Sequence, residues 1–405
     1  MKPDNHPFQA RKISDCVYWV GAVDWTLPEF HGYRTERGTT YNAFLVMADK
    51  ITLVDTVKAP FAKEMMSRIA SVISPDKIDF IVSNHAEMDH SGALPEVVGQ
   101  IRPSQIFASA NGVKALNLHF QQDWPLTPVK TGDSINLGNG SLSFVETRMI
   151  HWPDSMVSFF DRDGILFSQD AFGMHLATSQ LFADQNDRPT MQWQAEKYYA
   201  NIVMPYSPMV EKTLAVLEQK KLPIQMIAPD HGPMWRTARD IEWILGMYRR
   251  FVAQPRTRQV VVAFDTMWQS SQTMAGAIAE GVSRGGGLPR VFRLNNDHRS
   301  DIATEIMNSG AVIFGSPTLN SSVYPTLADL MTYIKGLQPK TRTGALFGSY
   351  GWNQKGREEL QEMAAKLGLE LVDEPLFVRY VPTEEDLRHC VELGEKVAGS
   401  LPKNE

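Results

Sequence analysis

The order of apolar and polar positions changes character once along the chain. Up to about residue 250, short β-branched and aromatic runs alternate with helical stretches. CVYWV (16–20), AFLVM (43–47), ITLVD (51–55) and FIVSN (80–84) are predicted strands. Residues 62–72, 96–101, 195–203 and 209–219 carry helical spacing, as does the longer amphipathic stretch 238–252. AQPRTR (253–258) is short, polar and interrupted by Pro255, and reads as a linker. Beyond it, QVVVAF (259–264) is the continuous apolar run expected of a strand buried on both faces. Strands VFRL (291–294), AVIFG (311–315), GALFGS (344–349) and LELV (369–372) follow. They alternate with helices at 272–282, 302–307, 326–334, 356–367 and 384–397. Such alternation predicts a doubly wound, open parallel sheet. The pattern therefore divides the chain into a mixed α/β domain over 1–252 and a second domain over 257–405.

Composition narrows the class. Apolar residues at 43% and charged residues at 21% fit two packed cores and exclude wholesale disorder. A net charge of −6 argues against a general binder of nucleic acid or anionic membrane. Two cysteines, Cys16 and Cys390, build neither a disulfide framework nor a zinc ribbon nor a Cys-ligated cluster. That poverty fits a reducing cytoplasm, with Cys16, inside an apolar strand, read as an inert buried thiol. No run approaches the roughly 18 apolar residues of a membrane span. The N-terminus, MKPDNHPFQARKISD, lacks the apolar core of a secretory signal, so a soluble cytoplasmic protein is expected.

Candidate chemistry gathers at strand exits. SNHAEMDHSG (83–92) follows a predicted buried strand and places His85, Glu87 and Asp89 at alternate positions, with His90 adjacent. In an extended segment alternate residues point the same way, so the first three are expected to converge. A turn at 89–91 would then swing His90 round to a second metal. His151 follows LSFVETRMI, Asp170 ends ILFSQD, and His231 sits in APDHG after the apolar run IQMI. Each is a ligating type where a strand gives way to a loop, which is where layered α/β scaffolds collect their sites. His175 and the pair Tyr198–Tyr199 are candidates to line a substrate pocket, with Tyr198 the proposed proton donor.

The second domain offers three loops at strand ends. The first is DTMWQSSQTMA (265–275), a hydroxyl-rich segment opening a helix, and hence an anion site without a basic residue. It resembles the phosphate loop of flavodoxins, although it lacks their usual glycine. Thr266, Met267, Trp268, Gln269, Ser270 and Ser271 are its candidates for cofactor contact, and Trp268 is also a candidate to pack beneath the loop. The second loop, GSPTLNSSVYP (315–325), contributes Pro317, Thr318, Leu319 and Asn320. The third, GSYGWNQKG (348–356), contributes Ser349, Tyr350, Gly351 and Trp352, with Tyr350 and Trp352 placed to stack on a ring. No G-x-G-x-x-G fingerprint accompanies them, so a mononucleotide, FMN, is implied rather than a dinucleotide.

Taken together, HAEMDH (85–90), HWPDS (151–155), QDAFG (169–173), YYANI (198–202) and PDHG (229–232) resemble the metallo-β-lactamase superfamily. The match is to its flavodiiron branch, in which a glutamate replaces the second histidine of H-x-H-x-D-H. The resemblance spans the whole chain. It implies an α/β protein, with a metallo-β-lactamase-like αββα sandwich followed by a flavodoxin-like doubly wound parallel sheet. It also implies His85, Glu87 and His151 on one iron, Asp89, His90 and His231 on the other, and Asp170 bridging. Replacing an imidazole by the carboxylate of Glu87 adds negative charge and hard oxygen, which favour iron in its higher oxidation state. The implied activity is reduction of O2 to water or NO to N2O at a non-haem diiron site supplied through FMN. The donor is external, because no C-x-x-C pair marks a fused rubredoxin domain, and rubredoxin is the expected partner. The resemblance further implies a head-to-tail homodimer, or a tetramer of such dimers. The rival reading is a dizinc hydrolase carrying an accessory flavodoxin-like domain.

Overall fold

The computed structural model describes residues 6–340 and 342–403; residues 1–5 of the N-terminus read above for a targeting signal lie outside them. The chain resolves into two compact units. One comprises Met1–His31, Thr35–Tyr198 and Tyr206–Val252; the other comprises Gly32–Arg34, Tyr199–Pro205 and Ala253–Glu405.

The first unit is built on two sheets. Seven strands run across one sheet in the order Arg11–Lys12, Val17–Trp19, Phe44–Val46, Thr52–Val54, Phe80–Val82, Gln105–Ser109, Leu126–Val129. The other sheet has the order Ser134–Asn136, Ser141–Glu146, Met156–Phe160, Ile165–Gln169, Met226–Pro229. Alternation decides which residue faces where. Phe44, Val46, Val54, Val82 and Phe107 pack with Phe144, Met156, Phe160 and Phe167 of the other sheet. Their neighbours Leu45, Leu53, Ile81 and Ile106 turn to the opposite face and meet Met65, Ile69, Leu94, Val97 and Leu116 from the covering helices. The last strand of each sheet's chemistry-bearing part is parallel to its neighbour, Phe80–Val82 with Thr52–Val54 and Met226–Pro229 with Ile165–Gln169. Parallel neighbours exit at the same end, which brings the loops that follow them together.

The predicted helix over 195–203 spans two different turns. A regular helix, Arg188–Tyr198, starts earlier than its apolar spacing suggests and gives way to a wider turn, Tyr199–Val203.

The second unit holds a parallel sheet whose second strand in sequence lies at one edge: Leu288–Arg293, Gln259–Phe264, Ala311–Pro317, Thr343–Tyr350, Glu370–Leu371. The predicted fifth strand, 369–372, is broken. Glu370–Leu371 pairs with the start of its neighbour, and a further strand, Leu376–Arg379, pairs with the end of it. Val260, Val262 and Phe264 pack on Met274 and Ile278 of helix Ser270–Arg284 and on Leu393 and Val397 of helix Glu384–Gly399. These two helices approach closely because each presents a glycine. A Cβ on Gly281 would come within 1.9 Å of the Val391 carbonyl oxygen, and one on Gly394 within 2.2 Å of that of Ile278.

Cys16 and Cys390 are buried and free. Burial and the neighbouring Asp163 push the Cys16 thiol up to about 11. Burial, with Asp386 adding to it, raises Cys390 to about 12. Both thiols stay protonated and inert. Among the described residues, no helix is long and apolar enough to cross a membrane.

The chain from residue 257 onwards carries this second core whole, and we expect it to fold when expressed alone. It forgoes the hydrogen bonds that Asn201 makes to Ser300 and Tyr333, and that Gln254 makes to Lys340. At about 1 kcal/mol each, the loss lowers its melting temperature without abolishing cooperativity. A broad, non-cooperative melt followed by circular dichroism would count against this.

Candidate metal centre and cofactor pocket

Seven ligand-type side chains meet at the strand exits of the first unit, and all seven are buried. They form two groups: His85, Glu87, His151 and Asp170, and then Asp89, His90 and His231. The convergence of His85, Glu87 and Asp89 expected from alternation is corrected here. A helical turn, Met88–Ser91, begins directly after Glu87, so Asp89 leaves the extended register and joins His90 and His231.

Asp170 lies between the groups. Its Oδ2 is 3.3 Å from His85 Nε2 and 3.2 Å from His151 Nε2. Its Oδ1 is 3.2 Å from His90 Nε2 and 3.5 Å from His231 Nε2. Glu87 Oε2 sits 3.2 Å from His85 and 3.0 Å from His151. Asp89 Oδ2 is 3.2 Å from His231, and Oδ1 is 3.4 Å from His90.

The imidazoles are oriented from behind. His85 Nδ1 meets Asp154 Oδ2 at 3.0 Å, and the same oxygen accepts the Ala86 N–H. His231 Nδ1 donates to the Thr40 carbonyl at 2.7 Å. His90 Nδ1 faces Asp230 Oδ2 at 3.4 Å. For His85 and His231, the bond at Nδ1 directs Nε2 at the site. Asp55 accepts from both the backbone N–H and the side-chain amide of Asn84, immediately before His85. Asp55 thereby fixes the strand exit that leads into His85.

A chemical test of the site comes from its polar atoms. Both carboxylate oxygens of Asp89 and of Asp170, and both ring nitrogens of His90, are buried without a hydrogen bond. Buried polar groups are seldom left this way. Three carboxylates and four imidazoles in two sets joined by one aspartate suit a pair of divalent or trivalent cations.

The electrostatics agree. Burial opposes charge on Glu87, but hydrogen bonds from His151, His31 and His85 outweigh it and hold the carboxyl well below its usual range. Asp170 is likewise held low against burial, by His90, His151 and His85. Burial disfavours charge on His90, yet Asp89 and Asp170 raise it to about 10. His151 rises to about 9 against burial, through Asp170 and Glu87. Without metal, protons supply the missing positive charge.

His31 escaped the sequence reading. Its Nε2 lies 2.6 Å from Glu87 Oε1, although 56 residues separate the two and more than half of the His31 side chain is exposed. No local pattern signals it. His175 and Tyr198 do sit beside the site: the His175 ring lies tilted 4.6 Å from His231 and 5.2 Å from Tyr198, centroid to centroid. Tyr199 falls in the second unit.

In that unit, the three predicted loops line a pocket of about 520 Å³, a size in the usual range for small-molecule sites. Met267, Trp268, Ser270, Pro317, Thr318, Leu319, Asn320, Ser349, Tyr350, Gly351 and Trp352 form its wall. Ser321, Asn353, Tyr380 and Val381, not singled out from the sequence, join them. Thr266, Gln269 and Ser271 fall outside the wall. Thr266 and Ser271 are buried, with Ser271 Oγ turned to Ser349 Oγ at 3.4 Å, and the Gln269 carbonyl accepts from Thr273. Trp268 does not pack beneath the loop: it is 89% exposed, and Trp352 is 85% exposed. The Thr266 and Thr318 hydroxyls are buried without hydrogen bonds, and the helix from Ser270 starts without a side-chain cap. Free hydroxyls at an uncapped helix start suit a phosphate, and exposed aromatics above suit a planar ring.

Comparison with known proteins places both halves. Residues 39–232 match the ODP family beta lactamase model, and residues 262–394 match Flavodoxin. The chain is 41% identical to a nitric oxide reductase of Moorella thermoacetica over 96% of its own length and 98% of the relative's. It is 39% identical to a coenzyme F420H(2) oxidase of Methanothermobacter marburgensis over 97% and 98%. The rubredoxin oxygen:oxidoreductase from the anaerobe Desulfovibrio gigas superposes with a TM-score of 0.94 at 41% identity, covering 96% of this chain and 98% of that one. Fold and site thus define an oxidoreductase joining a metallo-β-lactamase-like domain to a flavodoxin-like one. Within that class, the chain belongs to the flavodiiron proteins, whose cofactors are FMN and a non-haem diiron pair.

Because a ligating imidazole must be neutral, metal uptake competes with the protons on His85, His90 and His151, all three raised by the carboxylates around them. Iron(II) added anaerobically to apo-protein at pH 7 should release about three protons, and the apparent affinity should rise with pH between 6 and 8. A weakly buffered titration with an indicator dye measures both. Uptake without proton release would contradict the raised pKa values.

Proposed function

We propose that electrons from an external donor reach FMN in the C-terminal domain and then a diiron pair in the N-terminal domain, where O2 is reduced to water or NO to N2O. The observation that carries this reading is the shared carboxylate: Asp170 turns one oxygen to each donor group. In this reading His85, Glu87 and His151 would hold one iron, and Asp89, His90 and His231 the other, with Asp170 available to both. When bound, FMN relays electrons and the irons bind the diatomic and deliver electrons to it.

The chain's own residues set the conditions. Glu87, Asp89 and Asp170 bring three buried negative charges, which stabilise the more highly charged state of the metals. Tyr198 keeps its phenolic proton, because burial, reinforced by Asp170, raises its pKa well above the usual value. Beside His175 and His231, it is our candidate for the catalytic proton donor. Thr266, Ser270 and Thr318 would hold the FMN phosphate end, and Tyr350 and Trp352 would cover the ring. The hydrolase alternative is not favoured, given the flavodiiron kinship and Glu87.

Rubredoxin, or a similar small carrier, is the proposed donor, with coenzyme F420H2 the competitor that a relative's name suggests. We place the chain in the cytoplasm, in keeping with its two free, buried thiols. Anaerobic reduction with each donor, followed by parallel O2 and NO electrode traces, tests donor and substrate together. Failure of both donors to reduce the bound flavin, or flat traces with both gases, would overturn the proposal.

Glu87→His should draw the site towards zinc, lowering iron content and O2 or NO turnover by about tenfold or more while the fold survives. Metal analysis and electrode rates check this; parent-rate turnover would defeat the charge argument.

We also propose a head-to-tail homodimer, alone or paired into a tetramer, that sets the FMN of one chain beside the irons of the other. Two-fold symmetry makes both contacts at once. A hybrid pairing a metal-free chain (His85→Ala with Asp170→Ala) with an FMN-free chain should keep about half of the native activity, since one of two cross-chain pairs is intact. A dead hybrid would place transfer within one chain.

A further inference from the structure

Asp230 is an anomaly that the metal assignment does not absorb. Its side chain is wholly buried, and neither carboxylate oxygen has a hydrogen bond. Its main chain is pinned on both sides. The N–H donates to the Gln169 carbonyl at 2.9 Å, and the carbonyl accepts from the Asn42 N–H at 2.7 Å. The backbone therefore dictates where this carboxylate stands, and the carboxylate contributes nothing to holding the backbone. A buried acid with no hydrogen bond costs stability, so its presence calls for a reason other than folding.

The reason lies on its open side. Asp230 Oδ2 faces His90 Nδ1 at 3.4 Å. His90 lacks the hydrogen bond from behind that fixes His85 and His231. His85 is held through Asp154 at 3.0 Å and His231 through the Thr40 carbonyl at 2.7 Å, whereas neither His90 nitrogen has a hydrogen bond. The ring lies between two other imidazoles, with centroids 5.5 Å from His85 and 4.7 Å from His231. Such ring contacts restrain its plane but do not choose which nitrogen carries the proton. An oxygen acceptor placed behind Nδ1 makes that choice: the proton goes to Nδ1, and Nε2, which already points at Asp89 and Asp170, is left with its lone pair towards the site.

We infer that Asp230 is the positioning residue that makes His90 a metal ligand, and so sets the affinity of the second metal position, formed with Asp89 and His231. This rests on the diiron reading above. It also separates the two positions: Asp154 backs a ligand of the first, and Asp230 a ligand of the second.

The test is an anaerobic iron(II) titration of apo-protein for the parent, Asp230→Asn and Asp154→Asn, with a melting curve of each apo-protein. Asp230→Asn should weaken one of the two iron equivalents about 10–100-fold and leave the other near the parent value. Its apo-protein should melt no lower than the parent, because the substitution keeps the side chain's size and breaks no hydrogen bond. Mössbauer spectra of the loaded variant should change for one iron of the two. Asp154→Asn should weaken the other equivalent. Two parent-like equivalents in Asp230→Asn would overturn the inference, as would equal loss of both irons together with a lowered apo melting temperature, which is the mark of a structural role. A parent that takes up no iron sinks the diiron reading itself, and this inference with it.

Discussion

Three carboxylates and four imidazoles packed into a dry interior cannot remain together as bare charges. Their mutual repulsion and desolvation have to be met by positive charge, from protons when the site is bare and from cations when it is filled. That demand explains the raised His90 and His151 and the depressed Glu87 and Asp170 as one phenomenon. It also explains why the polar atoms of Asp89, Asp170 and His90 lack hydrogen bonds.

The scaffold is organised around holding this arrangement. Asp55, at φ 55°, and Gln169, at φ 47°, both occupy left-handed backbone conformations beside the ligands. Asp55 is fixed by its two bonds to Asn84. Gln169 is fixed by donating to the Ile150 carbonyl and accepting from the Asp170 N–H. Strain of this kind persists where surrounding bonds over-determine the backbone, and it concentrates at functional sites. Here it points His85 and Asp170 inward from two different sheets.

The flavodoxin-like domain follows the opposite design. Its sheet is buried and regular, and its chemistry is carried by loops. The turn at Asn320 and Ser321, both at positive φ, is closed by reciprocal hydrogen bonds between Leu319 and Ser322. The pocket wall is completed by aromatic residues that remain exposed. A rigid sheet with adaptable loops lets a flavin be held firmly while its edge stays open to exchange electrons.

Much of this was legible in the residues themselves. Alternation with period two and the buried runs located most strands used by the site, because side-chain direction in a strand is a local property. Ligating types at strand exits singled out the seven side chains that the fold gathers into one buried cluster, and three hydroxyl- or aromatic-bearing loops supply most of the wall of the second unit's pocket. What depended on the third dimension was partition and support. Asp89 joined the second group because a helical turn begins at Met88, and short turns are set by surrounding packing more than by local propensity. His31 and Glu87, Asp154 and His85, and Asp230 and His90 are brought together across 56, 69 and 140 residues, by sheet pairing and loop closure. Chain chemistry declares which side chains are able to bind a metal; only the packed fold decides which of them share one, because that choice turns on ångström distances between segments with no local relation.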